Sequence, residues 1–180
     1  MKIDKNSYGT IALSWLISAA LTLLILKTIG MNTVGYTISV LVLLFSVFVT
    51  WFHRVPVRHT PEGDRIVTSG ADGKVVIIKK VYEKEYLKRE CMQVSVYMDF
   101  FNVHANFWPV TGKVSYYKYH PGRYLLAFLP KAAEENEHSS TAIDTGKEEI
   151  FFKQIAGTFA RRIVCYSQEG SEELRGVQCG

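Results

Sequence analysis

The chain has 180 residues, a formal net charge of +4 and three cysteines. The cysteines are widely spaced, which argues against a disulfide framework or a structural zinc site and fits a reducing compartment. The near-zero mean hydropathy averages two unlike regions, because residues 8–52 are almost entirely apolar and the rest has the mixed composition of a soluble domain.

Two apolar runs open the chain. Residues 8–29 and 34–52 are each long enough to cross the hydrocarbon layer as a helix. Basic residues before the first run and after the second place both flanks in the cytoplasm by the positive-inside rule. A signal peptide is disfavoured, since no small-residue cleavage site follows the first run. The sequence therefore predicts a transmembrane hairpin within residues 1–53, in the inner membrane, with the next domain on the cytoplasmic side.

The remainder is predicted to be mostly β. Prolines and glycine mark residues 54–63 as a linker, and the domain is expected over residues 64–180. Strict alternation of apolar and polar residues over 93–100 predicts a half-buried strand. Further strands are predicted at 65–68, 74–81, 113–119, 150–155 and 162–166. Their spacing favours a barrel or sandwich-hybrid domain, with residues 132–140 as an exposed loop.

Two turns resemble each other. Residues 71–75 and 110–114 both place Gly-Lys-Val directly before a predicted strand. Glycine at positions 73 and 112 predicts positive-φ turns that feed equivalent strands. This sequence similarity fits two related half-barrels, although chance resemblance between two hairpins explains it equally well.

One histidine and one aspartate are candidates for chemistry. His104 lies between two asparagines in an aromatic setting, where a strand gives way to a turn. Such an imidazole is either a core residue with satisfied nitrogens or a proton-transfer group. Asp72 precedes a glycine, so it either makes the turn or orients a histidine as a triad carboxylate does. We select His104 and Asp72 as the candidate catalytic pair.

The other histidines give no metal site. His120 is predicted to open a turn, and His138 is predicted to be solvated in the acidic loop. A site built from His104, His120 and His138 would need three separate loops without a recognised ligand spacing, so no metal is predicted. The single aromatic and lysine strand at 116–119 is weak support for nucleic acid, and none is expected.

Five motifs follow one another along the soluble region. They are Ser-Gly-Ala-Asp-Gly-Lys-Val at 69–75, Phe-Asn-Val-His-Ala-Asn-Phe-Trp-Pro-Val-Thr-Gly-Lys-Val at 101–114, Tyr-His-Pro-Gly at 119–122, Glu-Asn-Glu at 135–137 and Gln-Ile-Ala-Gly-Thr-Phe-Ala-Arg-Arg-Ile-Val at 154–164. In this order and spacing they resemble the short bacterial form of phosphatidylserine decarboxylase. The resemblance covers residues 54 onward, and the apolar hairpin is also similar to that of some members.

The resemblance implies a carboxy-lyase that converts phosphatidylserine to phosphatidylethanolamine and CO2. A serine-derived pyruvoyl group, made when the proenzyme cuts itself at a Gly-Ser bond, would form a Schiff base with the substrate amine and accept electrons. His104 would return a proton or assist self-cleavage, and Asp72 would assist self-cleavage. Further substrate contacts are implied at Asn106, Asn136, Glu137 and Arg161. A membrane-bound phospholipid is the implied partner, and a homodimer is compatible with the family.

The chain departs from the family pattern in two places. His138 stands where the family usually has arginine, which would weaken a phosphate or carboxylate contact there. The family's Phe-Gly-Ser segment is missing, and the one Gly-Ser pair, Gly170-Ser171, is surrounded by glutamates as in a solvated turn. We therefore expect a C-terminally truncated chain whose pyruvoyl serine and α-chain segment lie beyond residue 180. The alternative is a catalytically inactive, membrane-anchored β domain, either a remnant or an adaptor.

Overall fold

The computed structural model describes residues 2–63, 65–126 and 132–180. Its chain divides into two compact units, Met1–Val57 and Arg58–Gly180.

The first unit is a helical hairpin. Its elements are β1 (Lys2–Ile3), α1 (Tyr8–Thr28), α2 (Thr33–Phe52) and β2 (Arg54–Val55). β1 pairs with β2 in antiparallel register, which joins the two ends of the hairpin. The Asn32 side chain caps α2 by accepting a hydrogen bond from the Gly35 N–H at 3.0 Å. The two predicted apolar helices are confirmed, and both are long and apolar enough to cross a membrane.

Small residues hold the two helices together. The Ser18 and Ser46 hydroxyls share a hydrogen bond of 2.7 Å, and Ser46 also donates to the Ser14 carbonyl at 3.0 Å. At the turn, a side chain on Gly35 would place its Cβ only 2.2 Å from the Gly30 carbonyl oxygen. Hydroxyl contacts and close backbone approach are the usual means of pairing helices that lack a hydrophobic driving force between them.

The second unit is mostly β, which confirms the predicted class. Its elements are β3 (Lys74–Tyr82), β4 (Glu90–Tyr97), β5 (Gly112–His120), α3 (Ala132–Glu135), β6 (His138–Asp144), β7 (Glu149–Ile155) and β8 (Glu172–Glu173). β3 and β4 form an antiparallel hairpin. The other strands form a four-stranded antiparallel sheet in the order β7-β6-β5-β8.

Two predicted strands are wrong. Residues 65–68 and 162–166 do not form strands. Each makes an isolated backbone bond, from the Thr68 N–H to the Pro109 carbonyl and from the Tyr166 N–H to the Cys179 carbonyl. These segments are rich in apolar residues, but a strand also requires consecutive backbone hydrogen bonds to a neighbouring strand, and each segment makes only one with the described part of the chain.

The predicted exposed loop at residues 132–140 is also wrong. A short helix, α3, occupies its start, and β6 follows with every residue from His138 to Ile143 buried. The polar residues of β6 tolerate burial because they are hydrogen-bonded. Ser139 donates to the Gln154 side chain at 2.8 Å, for example. Burial of a satisfied hydroxyl carries little penalty.

The two similar turns use glycine for different reasons. Gly73 has φ +153°, as predicted for a position that other residues rarely adopt. Gly112 does not have the predicted positive φ, because it already belongs to β5. A Cβ there would lie 2.3 Å from the carbonyl oxygen of Asp144 on β6. Glycine at 112 is therefore required by the close approach of a neighbouring strand.

The core lies between the sheet and the loop that precedes β5. Its buried side chains are Trp108, Val110, Val114, Ile143 and Cys179. The Trp108 ring meets the Phe152 ring edge to face, with centroids 5.8 Å apart. The core thereby fixes the loop at residues 102–111 against β6, β7 and the last residues of the chain.

Removing one methylene from this core should measurably destabilise the fold. Ile143 is fully buried, so Ile143→Val is expected to lower the free energy of unfolding by about 1 kcal/mol. Ile78 is 68% exposed on β3, and Ile78→Val serves as the matched control with an expected change near zero. Denaturant unfolding of the full chain in detergent micelles measures both. Equal midpoints for the two variants would contradict this placement of the core.

Candidate active site

Asp72 lies in a tight turn at residues 69–73. The Ser69 hydroxyl donates to the Ala71 carbonyl at 2.6 Å and closes the turn. One Asp72 carboxylate oxygen pairs with the Arg58 guanidinium at 2.5 Å, and both side chains are about one-third exposed. The Arg58 guanidinium also lies 4.9 Å from the centroid of the Phe107 ring. The Asp72 side chain therefore faces a permanent cation.

A pocket of about 150 Å³ borders this pair. Asp72, Arg58 and Phe107 contribute to its wall, and Ser69 and Thr68 add hydroxyl groups. His104 is not one of the described residues that line it. The predicted pairing of Asp72 with His104 therefore stays a prediction, and the carboxylate has an arginine partner that the sequence analysis did not anticipate.

His104 is positioned by the loop that follows β4. The Asp99 carboxylate accepts hydrogen bonds from the Phe101 and Asn102 N–H groups, at 2.8 and 3.1 Å, and fixes the start of the loop. The half-buried His104 ring then places Nδ1 3.0 Å from the Asn102 carbonyl oxygen. A carbonyl accepts only, so Nδ1 carries the proton and Nε2 is the basic nitrogen of the neutral ring. This tautomer suits proton transfer at Nε2.

Asn106 joins three separate segments. Its side chain donates to the Gly70 carbonyl at 3.3 Å and accepts from the Gln154 side chain at 2.9 Å. Its backbone N–H donates to the Gly180 carbonyl at 2.9 Å, and its carbonyl accepts from the Cys179 N–H at 2.8 Å. The turn that carries Asp72, the loop that carries His104 and the last residues of the chain therefore meet at Asn106.

Asn136 is committed to structural hydrogen bonds. Its side chain accepts from the Leu125 N–H at 2.9 Å and donates to the Leu125 and Ala156 carbonyls at 2.9 and 2.8 Å. The residue is 1% exposed, and both amide protons are used. The predicted substrate contact at Asn136 could therefore involve only the second lone pair of its carbonyl oxygen.

Removing this amide should cost stability. Asn136→Ala is expected to lower the free energy of unfolding by about 2–3 kcal/mol, because two partly buried backbone groups of Leu125 and the buried carbonyl of Ala156 would lose their partner. Asn6→Ala, at an exposed residue, is the control with an expected change below about 0.5 kcal/mol. A normal unfolding midpoint together with a raised KM for substrate would instead assign Asn136 to binding.

Glu137 and Arg161 both lie near Tyr124. The buried Glu137 carboxylate accepts a hydrogen bond from the Tyr124 hydroxyl at 2.5 Å, and this bond raises the pKa of Tyr124. The exposed Arg161 guanidinium lies 6.0 Å from the centroid of the Tyr124 ring and donates through Nε to the Thr158 carbonyl. Substrate contacts at both residues stay predictions. Their shared neighbour Tyr124 places them on one side of the domain.

The structure also shows a cluster that the sequence analysis missed, formed by Glu85, His120 and His138. One donor atom from each residue lies within 4.8 Å of the other two. His138 is buried in β6, so its predicted solvation is wrong. His120 is the last residue of β5, and its Nε2 lies 2.6 Å from Glu85. Glu85 comes from the β3–β4 loop, 35 residues before His120, and no motif spacing signals such a contact.

Lysine and hydroxyl groups complete the surroundings of Glu85. Lys153 and Ser140 bind one carboxylate oxygen at 2.7 and 3.0 Å, and Tyr116 donates to the other at 3.2 Å. Partial burial alone would raise the pKa of Glu85. Hydrogen bonds from Lys153, His120 and Ser140 outweigh that effect and lower the pKa to about 2.

Fold and site together define a protein with two N-terminal apolar helices, followed by a β domain that carries a candidate acid–base histidine. The family model described as phosphatidylserine decarboxylase matches residues 45–180. The phosphatidylserine decarboxylase proenzyme of Syntrophus aciditrophicus is 46% identical over 144 residues, which cover 79% of this chain and 68% of the relative. The proenzyme of Porphyromonas gingivalis is 38% identical over 173 residues, 94% of this chain and 78% of the relative. The chain therefore belongs to the phosphatidylserine decarboxylase family.

A relative that aligns with the hairpin as well supports the same assignment. The phosphatidylserine decarboxylase proenzyme of Amoebophilus asiaticus is 37% identical over 182 residues, which cover 100% of this chain and 81% of the relative. The similarity thus extends through the apolar helices, beyond the part that the family model matches.

Proposed function

We propose that this protein is a phosphatidylserine decarboxylase proenzyme, a carboxy-lyase that removes the serine carboxyl group as CO2 and leaves phosphatidylethanolamine. Family membership supports the reaction. The arrangement around His104 supports a place for it, because a half-buried imidazole with a basic Nε2 can deliver or accept a proton at a bound headgroup.

The strongest support comes from the direction in which the last residues of the chain run. The last residues of the chain run antiparallel to residues 106–108, with hydrogen bonds from Asn106 to Gly180 and from Trp108 to Val177. Continued pairing in the same direction would lead beyond Gly180 toward residues 105 and 104. A serine a few residues further along the chain would then come close to His104.

The residues present fit a serine-derived pyruvoyl group held at this point. His104 and Asn106 would flank it, and the neighbouring backbone groups of residues 106–108 are already paired with residues 176–180. When formed, the group supplies an electron-accepting carbonyl that stabilises the charge left by departing CO2. His104, once protonated at Nε2, would return that proton to the substrate carbon. Asp72, paired with Arg58, would assist the self-cleavage that creates the group.

Gly170-Ser171 is not the proposed cleavage site. Gly170 has φ +86° in a turn, and the Ser171 hydroxyl shares its one proton between the Gln168 carbonyl and the Glu173 carboxylate, each 2.8 Å away. Both bonds tie the hydroxyl to its own turn. The proposal therefore places the reactive serine beyond Gly180.

The helical hairpin is proposed to anchor the enzyme in the inner membrane. Its outward residues are apolar, and Leu16 and Leu23 are 69% and 71% exposed. Basic residues at the joined ends, such as Lys2 and Arg54, support a cytoplasmic location for both ends. Residues 1–53 would form the anchor, 54–63 the linker and 64–180 the decarboxylase domain. An anchored enzyme meets its lipid substrate at high effective concentration.

Complementation tests this proposal. The proenzyme, extended to include the pyruvoyl-forming serine, is expected to restore phosphatidylethanolamine in a bacterial strain that lacks phosphatidylserine decarboxylase. Thin-layer chromatography of the lipids measures the product, and a gel shows whether the chain is cut into two. An uncut chain and no phosphatidylethanolamine would favour the alternative of an inactive, membrane-anchored β domain.

A further inference from the structure

We propose that Glu85, His120 and His138 bind a divalent metal ion of the zinc class, with water in the fourth position. Two imidazoles and one carboxylate form a ligand set that zinc commonly uses. The inference does not depend on the proposed decarboxylase activity. The metal would fasten the β3–β4 hairpin, which carries Glu85, to the four-stranded sheet, which carries both histidines.

The spacing of the donors is close to what a metal needs. All three donor atoms lie within 4.8 Å of one another. Ligands at the usual zinc distances stand about 3.4 Å apart in a tetrahedral site. His120 and His138 are directly paired across β5 and β6, and their rings stack with centroids 4.3 Å apart. Small side-chain rotations on a rigid pair of strands would therefore turn both ring nitrogens toward one ion.

His138 is prepared as a ligand. Its Nδ1 lies 2.7 Å from the Asn136 carbonyl oxygen, so Nδ1 carries the proton and Nε2 offers the lone pair. Asn136 is itself fixed by three hydrogen bonds from its side chain. Metal binding requires an unprotonated ring nitrogen, and this tautomer offers one at Nε2.

Glu85 is held in place from two directions. The Glu83 carboxylate accepts hydrogen bonds from the N–H groups of Glu85, Tyr86 and Leu87, at 2.7–2.8 Å, and orders the loop. Lys153 and Ser140 bind Glu85 Oε2, while Oε1 faces His120 Nε2 at 2.6 Å. In the metal-bound state the ion replaces the proton between Oε1 and His120, and Oε2 keeps its partners.

The surroundings also define which ion fits. Imidazole ligands favour zinc and similar transition metals over Mg²⁺ or Ca²⁺, which prefer oxygen ligands throughout.

The Lys153 ammonium, 2.7 Å from Glu85, repels a cation and should weaken binding. Removing this charge is therefore expected to raise the affinity of the cluster for the metal ion. Metal bound by an unrelated surface histidine would not respond to the loss of Lys153.

Metal titration of the full chain tests the inference. Chelator-treated protein in detergent micelles is titrated with ZnCl2 by calorimetry and with Co²⁺ by visible absorption. One equivalent of zinc and a tetrahedral cobalt spectrum are expected. His138→Gln and Glu85→Gln should each weaken zinc binding at least about 10-fold. Lys153→Met should tighten it several-fold. His59→Ala, at an exposed histidine, is the control without an expected effect.

No zinc binding by the unsubstituted chain would overturn the proposal. So would undiminished one-equivalent binding by His138→Gln that retains the circular dichroism spectrum of the parent chain. If Glu85→Gln fails to fold, the cobalt spectra of the parent chain and of His138→Gln still decide the outcome.

Discussion

Replacing His104 with alanine in a proenzyme that carries the pyruvoyl-forming serine is expected to lower the turnover of phosphatidylserine by about 10³-fold. A positioned general acid or base typically contributes 10²- to 10⁴-fold to a rate. The asparagine carbonyl at Nδ1 and the capped loop before it fix the His104 ring in the tautomer whose Nε2 is basic. A headgroup assay on detergent-solubilised protein measures the change.

The control for this variant is His53→Ala. His53 lies in the helical unit, where its Nδ1 contacts the Val49 carbonyl oxygen at 2.8 Å at the end of α2. We expect its turnover to remain within about twofold of the parent enzyme, since the ring makes only a partly buried hydrogen bond and an edge contact with Phe52 at the end of a helix. Normal turnover by His104→Ala would remove the histidine from the mechanism. An uncut His104→Ala chain would assign the residue to self-cleavage.

Replacing Asp72 with asparagine is expected to leave most of the proenzyme uncut. The neutral amide keeps the shape of the side chain but cannot act as a base or balance the charge of Arg58. Self-cleavage should slow by at least about 10²-fold, as is common when a positioned proton acceptor is removed. Denaturing gels of the freshly expressed protein, sampled over time, give the fraction cut.

Asp144→Asn is the matched control for this variant. Asp144 also lies beside a glycine turn, where its carboxylate accepts a hydrogen bond from the Gly146 N–H at 2.7 Å. Loss of its charge is expected to leave the extent of cleavage unchanged. If Asp72→Asn were cut as fast as the parent chain, Asp72 would be a turn residue whose carboxylate serves only the ion pair with Arg58.

Regular hydrophobic patterns predicted the parts of the fold that depend on local sequence. The apolar runs became α1 and α2, and β3, β5 and β7 begin and end within one or two residues of the predicted runs. β6 was missed because Ser139, Ser140 and Thr141 look like solvent-exposed residues. Their burial depends on partners contributed by other elements, such as Gln154 on β7 and Ser167 near the end of the chain.

The candidate site was predictable only in its individual residues. Motifs pointed to Asp72 and Asn106, yet the partner of Asp72 is Arg58, and Asn106 is held by Gln154 and by the backbone of residues 179–180. These contacts join segments far apart in sequence, so no periodicity or spacing reports them. The same holds for Glu85, whose carboxylate meets two histidines only after the β3–β4 loop folds against the sheet.

Mass spectrometry of the mature protein, combined with the headgroup assay, tests whether the enzyme works through a self-derived pyruvoyl group. We expect two chains, cut at a Gly-Ser bond beyond Gly180, with a ketone in place of an amine at the new N-terminus and with phosphatidylethanolamine as product. A single intact chain that nevertheless decarboxylates phosphatidylserine would contradict the account, as would a cut at Gly170-Ser171.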